Sequence, residues 1–145
     1  MGLFSRTPLG GRFMRRLYRK SGMLYLPCDR IWGCKMKDAP VLMLMDTGTT
    51  ASVLRSKFVA NGRYTGESCS ILTAHGEMKA ERCEDATFTD SLGRTYTNNI
   101  LVIEDSVSLA ELERETGRPV AGILGTDFMD RYGVVMNFKT KEIEM

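Results

Sequence analysis

The sequence contains no apolar run longer than five residues, Val41 to Met45, far short of the ~18 residues that a membrane-spanning helix needs. Histidine is nearly absent, with His75 alone, and Cys28, Cys34, Cys69 and Cys83 include no Cys-x-x-Cys pair. Neither spacing fits a zinc finger or ribbon, so no metal and no other cofactor is expected, and a Cys–His nucleophilic dyad has little to draw on. Acidic residues are missing from positions 1–22, where Arg6, Arg12, Arg15, Arg16, Arg19 and Lys20 break up any signal-peptide core. The Met1-Gly2 start lacks the Ser or Thr at position 6 that myristoylation favours. A cytoplasmic protein with reduced, mostly buried thiols is the expectation.

What is present suits one globular domain: 145 residues, 43% hydrophobic and 26% charged. The basic residues 1–22 read as a leader, flexible or partly helical and solvated by its own charge, ahead of a domain spanning 23–145. Interleaved with Leu3, Phe4, Phe13, Met14, Leu17 and Tyr18, the same leader could instead touch nucleic acid, an anionic membrane or an acidic partner. Nothing in the rest of the chain resembles a nucleic-acid reader.

The pattern is mostly strands and turns. Met23 to Leu26 and Ile31-Trp32 read as short strands, Val41 to Met45 as a strand buried on both faces, and Ala51 to Leu54 as extended, with one helical turn from Arg55 to Ala60 ended by Asn61-Gly62. Ser70 to Thr73 and Met78 to Arg82 flank the turn Ala74-His75-Gly76-Glu77, giving a hairpin. Ala86 to Thr89 and Arg94 to Thr97 flank Asp90-Ser91-Leu92-Gly93, giving a second, with Asn99 to Ile103 as a further buried strand. A helix is expected over Leu109 to Thr116, opened by a capping box at Ser108 and stopped by Gly117 and Pro119. Its Glu111, Glu113 and Glu115 read as a solvated face. A second short helix is expected from Thr126 to Tyr132 and a closing strand from Val134 to Phe138.

The site candidate is Asp46. Five apolar residues deliver this carboxylate to the edge of the core, in a turn opened by Gly48, which is where acid–base chemistry needs it. Together, Asp46-Thr47-Gly48-Thr49 and the later Gly122-Ile123-Leu124-Gly125-Thr126-Asp127-Phe128-Met129 resemble the retropepsin-like aspartic proteases, the single-domain relatives of pepsin. Thr49 stands where Ala or Ser is commoner in the single-domain members, and the basic leader has no counterpart.

The resemblance implies a single-lobe closed β barrel with one or two short helices, in which the strand after the second helix closes the sheet around the Asp loop. It implies a homodimer acting on peptides or unfolded protein, with no cofactor. One chain has one such Asp, and hydrolysis without metal or nucleophile needs two carboxylates, so Asp46 of each subunit should meet across a twofold axis. The Thr47 hydroxyls would brace the two loops, Gly48 would let backbone approach the carboxylate, and Thr49 would bond its outer oxygen. Ile123, Leu124 and Gly125 would form the facing loop, and the turn Ala74 to Glu77 the flap. Two other readings stay open: a non-catalytic peptide-binding or dimerisation module on the same fold, and an unrelated β barrel whose basic arm binds nucleic acid or membrane.

Overall fold

The computed structural model describes residues 14–32, 34–36, 40–59, 62–73 and 76–145. In chain order these form β1 (Met14–Arg16), β2 (Tyr18–Lys20), β3 (Met23–Ile31), β4 (Cys34–Lys35), β5 (Val41–Met45), β6 (Val53–Arg55) and a 3-10 turn (Ser56–Phe58). There follow β7 (Arg63–Thr73), β8 (Gly76–Asp90), β9 (Thr95–Ile103), α1 (Val107–Thr116), β10 (Val120–Leu124), α2 (Thr126–Tyr132), β11 (Val135–Asn137) and β12 (Glu142–Glu144).

β5 lies between antiparallel β3 and parallel β10. β10 pairs with β6, β6 with β9, β9 with β8, and β8 returns to β3. Six strands therefore close into a ring, with β2, β4 and β7 extending its margins. All five residues of β5 are buried, because closure covers both faces of the strand. An unbroken apolar run is what such a position requires, where a half-exposed strand would alternate.

The two expected hairpins share one strand. β8 pairs with β7 out to Thr73 and Gly76, and with β9 from Ala80 to Thr89. What looks in the sequence like a break after Arg82 is a bulge: the β8–β9 register shifts between Cys83 and Ala86, and Asp85 takes φ 54°. An aspartate tolerates that left-handed backbone, so the strand bends without ending. At its far end the buried Asp90 carboxylate accepts bonds from the amides of Leu92 (2.9 Å) and Arg94 (3.0 Å) and from the Tyr96 hydroxyl (2.7 Å), fixing the expected turn.

Four expectations need correction. The basic stretch is not a separate leader throughout: β1 pairs with β12, β2 pairs with β3, and Leu17 between them is buried, so apolar and hydrogen-bonding demands hold the chain from Met14 onward. Residues 1–13 lie outside the described residues. The strand after α2 does not close the ring; β11 belongs to a separate three-stranded sheet ordered β1-β12-β11. Only Met136 of β11 is partly covered while Val135 and Asn137 are exposed, an alternation suited to a surface sheet.

The helix cap is also displaced. Ser106, two residues before the expected position, accepts the Leu109 amide at 3.2 Å, and Ser108 lies inside α1; Gly117 ends the helix at φ 70° as expected. Glu113 does not belong to a solvated face. Its carboxylate receives Arg55 Nη1 at 2.5 Å and the Val120 amide at 3.0 Å, while Arg55 Nη2 lies 3.1 Å from Asp105. Arg55 is buried, so this corner ties α1 to β6 and β10.

The Ser106 amide and the facing Arg55 hold the Asp105 carboxyl below its usual range. A depressed carboxylate stabilises the fold above its ordinary titration range, and that contribution fades as pH falls through the lowered value. With Asp105 67% exposed the effect is small.

Candidate active site

The β5–β10 ladder runs to the threshold of the candidate loop, where the Asp46 amide donates to the Leu124 carbonyl at 3.0 Å. The chain then turns on itself. The Thr49 amide donates to the Asp46 carbonyl at 3.3 Å, the Gly48 amide to Asp46 Oδ1 at 2.9 Å, and the Thr49 hydroxyl to Asp46 Oδ2 at 3.1 Å. Each carboxylate oxygen thus has one donor from its own loop, which fixes the plane of the carboxylate. Asp46 is half-buried and Thr47 and Gly48 are exposed, so the tip of the loop faces outward. A Cβ on Gly48 would lie 3.2 Å from Asp46 Oδ1, so glycine is what permits the close amide approach.

The facing segment locks to this loop through backbone. The Thr126 amide donates to the Thr49 carbonyl at 2.8 Å, and a Cβ on Gly125 would sit 2.5 Å from that same carbonyl oxygen. Leu124 is fully buried beneath the loop, and Ile123 is half-buried against Leu44 and Val53. Gly125→Ala is accordingly expected to push the Thr49 carbonyl aside and cost about 2 kcal/mol or more, a backbone clash having no flexible side chain to yield. Urea denaturation measures it, and a variant as stable as the parent would show that the loops separate freely.

Of the flap candidates, Ala74 and His75 lie outside the described residues. Gly76, at φ 108°, and Glu77 open β8 and are exposed. Next to them Leu72 is 85% exposed, while Ile71 and Met78, opposite one another in the register, pack partly against the cluster that holds Leu44 and Val53.

Sequence reasoning missed the polar groups under the loop. Ser52 is fully buried, Asn98 nearly so, and both converge on Asp127 in the first turn of α2. Phe88, Tyr96, Phe128 and Tyr132 pack ring against ring, at centroid separations of 5.0 to 5.5 Å for successive pairs, and hold that helix against the β8–β9 hairpin. The available signal was a lone serine inside the apolar stretch Ala51 to Leu54, together with an aspartate just after a glycine that ends a strand.

Cys28 and Cys83 are buried and free, and Cys69 is half-buried. Burial, with Asp90 and Asp29 nearby, pushes the Cys28 thiol well up, and burial also raises that of Cys83. Such thiols are poor nucleophiles. Among the described residues no three metal-ligating side chains come together, and no helix is long and apolar enough to cross a membrane.

No family model matches the chain, and no curated protein matches it. Among solved structures 226 chains are similar. One, the EIAV protease complexed with the inhibitor HBY-793, superposes with a TM-score of 0.50 at 19% identity, covering 85% of this chain and 97% of that one. At that identity the likeness is one of fold: mostly β, with two short helices, and similar to a retropepsin.

Proposed function

We propose that the protein is an aspartic-type endopeptidase that works as a homodimer, with Asp46 of each subunit meeting across a twofold axis. The supporting observation is the Asp46 loop itself: both carboxylate oxygens are held from within, on an outward-facing tip, in a fold similar to that of the EIAV protease. An outward tip gives each subunit half of a site. Two carboxylates about 3 Å apart cannot both ionise, the arrangement for which aspartic proteases are the standard example, so the pair shares one proton.

One Asp46 then takes a proton from water while the other donates to the carbonyl oxygen of the peptide, and the roles reverse as the amine leaves. Thr47, exposed at the tip, would brace its counterpart across the axis. The β7–β8 hairpin, with Leu72 near its end, would cover the peptide and exclude water.

Cleavage of an unstructured protein or a mixed peptide pool, followed by mass spectrometry alongside sedimentation, tests this. A strict monomer that cleaves would sink the shared site, and so would cleavage abolished by a chelator. The pH profile carries a separate prediction. A dyad sharing one proton works only between its two apparent pKa values, so kcat/KM should trace a bell, and a profile still rising at pH 8 would contradict it.

A further inference from the structure

We propose that Asp127, acting through Ser52, is the positioning residue that sets the Asp46 loop, an inference resting on the aspartic peptidase reading. The Asp127 carboxylate takes four donors: the Ser52 amide at 3.0 Å and hydroxyl at 2.7 Å, Asn98 Nδ2 at 3.1 Å, and the Phe128 amide at 2.8 Å. An ionised carboxylate only accepts, so the single proton of the Ser52 hydroxyl is committed to Asp127. Its oxygen is then left to accept, and it does so from the Gly125 amide at 3.0 Å.

The direction set at Asp127 passes on to the reacting group. Gly125 is held where the Thr49 carbonyl leaves no room for a Cβ, and the Thr126 amide donates to that carbonyl. Thr49 in turn gives its hydroxyl proton to Asp46 Oδ2. Every link is a protein group: Ser52 is oriented by Asp127, and the later links carry position from Gly125 and Thr126 to Thr49 through backbone bonds of fixed polarity. An apolar residue at the start of α2 would be cheaper to bury than a carboxylate whose four donors are all neutral. What the carboxylate adds is a fixed orientation for Ser52 and, through it, for the loop.

The test compares Ser52→Ala, Ser52→Thr and Asp127→Asn with the parent full-length chain. Ser52→Ala removes the relay with little change in volume. It should lower kcat roughly 10- to 100-fold with KM changed by less than about twofold, while sedimentation and circular dichroism stay the same. Ser52→Thr, which keeps the hydroxyl, should restore most of the rate, and Asp127→Asn should follow Ser52→Ala. The Gly48 amide proton, bonded to Asp46 Oδ1, reports the loop by its NMR shift without any activity, and it should move in Ser52→Ala.

A folded Ser52→Ala dimer with unchanged kcat overturns the proposal. So does a rate loss matched by loss of folded dimer, since the residue would then be structural only. If the parent cleaves nothing, the peptidase reading fails by itself. The Gly48 shift then decides the positioning role alone: a moved resonance supports it and an unmoved one overturns it.

Discussion

Replacing Asp46 by Asn is expected to reduce peptide cleavage by roughly 100- to 10 000-fold or to background, while leaving the fold and the dimer in place. Asn keeps the shape of the side chain but can neither accept the proton of a water nor share one with its counterpart. The Gly48 amide can still donate to the amide oxygen, and the Thr49 hydroxyl can turn to accept from the amide nitrogen, so the loop is not expected to unravel. Parallel assays of parent and variant on the same peptide, with circular dichroism and sedimentation on each, give the answer. Activity retained in the variant would place the chemistry elsewhere in the molecule.

The largest expected effect on stability is at Arg55. In Arg55→Leu, Glu113 loses its cation and keeps only the Val120 amide, and the Val120 carbonyl loses a donor at 3.0 Å. Removing one member of a buried ion pair costs about 3–5 kcal/mol, most of it the penalty of leaving the other charge uncompensated. The carboxylates of Asp105 and Glu113 are 67% and 24% exposed, so water relieves part of that and the lower end, about 3 kcal/mol, applies. Urea midpoints at matched protein concentration measure the loss. Arg55→Lys should recover only part of it, since a single ammonium cannot reach both carboxylates and the Val120 carbonyl with fixed geometry. An Arg55→Leu midpoint equal to that of the parent would mean that the network contributes nothing.

The elements most legible in the sequence were those whose pattern has one physical cause. β5 declared itself by continuous apolarity, because two-sided burial leaves no polar position. α2 was bounded by Gly125 and Gly133, and α1 ended where Gly117 could adopt a positive φ. Asp46 with Gly48 and Thr49 stood out as a candidate because a carboxylate is costly to place beside such a strand, and its loop bonds are those the motif suggests. What stayed hidden was set by tertiary contact. Ser106 outcompeted Ser108 as the cap, although only the latter has an acidic residue three positions on. The single strand β8 looked like two because the bulge at Asp85 carries the same residue types as a turn. Arg55 and Glu113, 58 residues apart, met only in the fold, as did Ser52, Asn98 and Asp127. The strands β1 and β2 were masked by the charge of their own sequence.

The parallel pairing of β5 with β10 has a kinetic consequence. The loop that carries Asp46 is floored and braced by residues that follow it by some 75 positions, through Ser52 to Asp127 and through the Leu124 carbonyl. Contacts so distant in sequence repay their loop-closure entropy late, and parallel strands that are not joined locally form slowly. During synthesis the Asp46 segment therefore emerges long before the chain that shapes it, and it stays without its floor until β10 and α2 have followed. On the peptidase reading proposed above, the order in which the protein is made would withhold the Asp46 carboxylate from nascent chains, its own included.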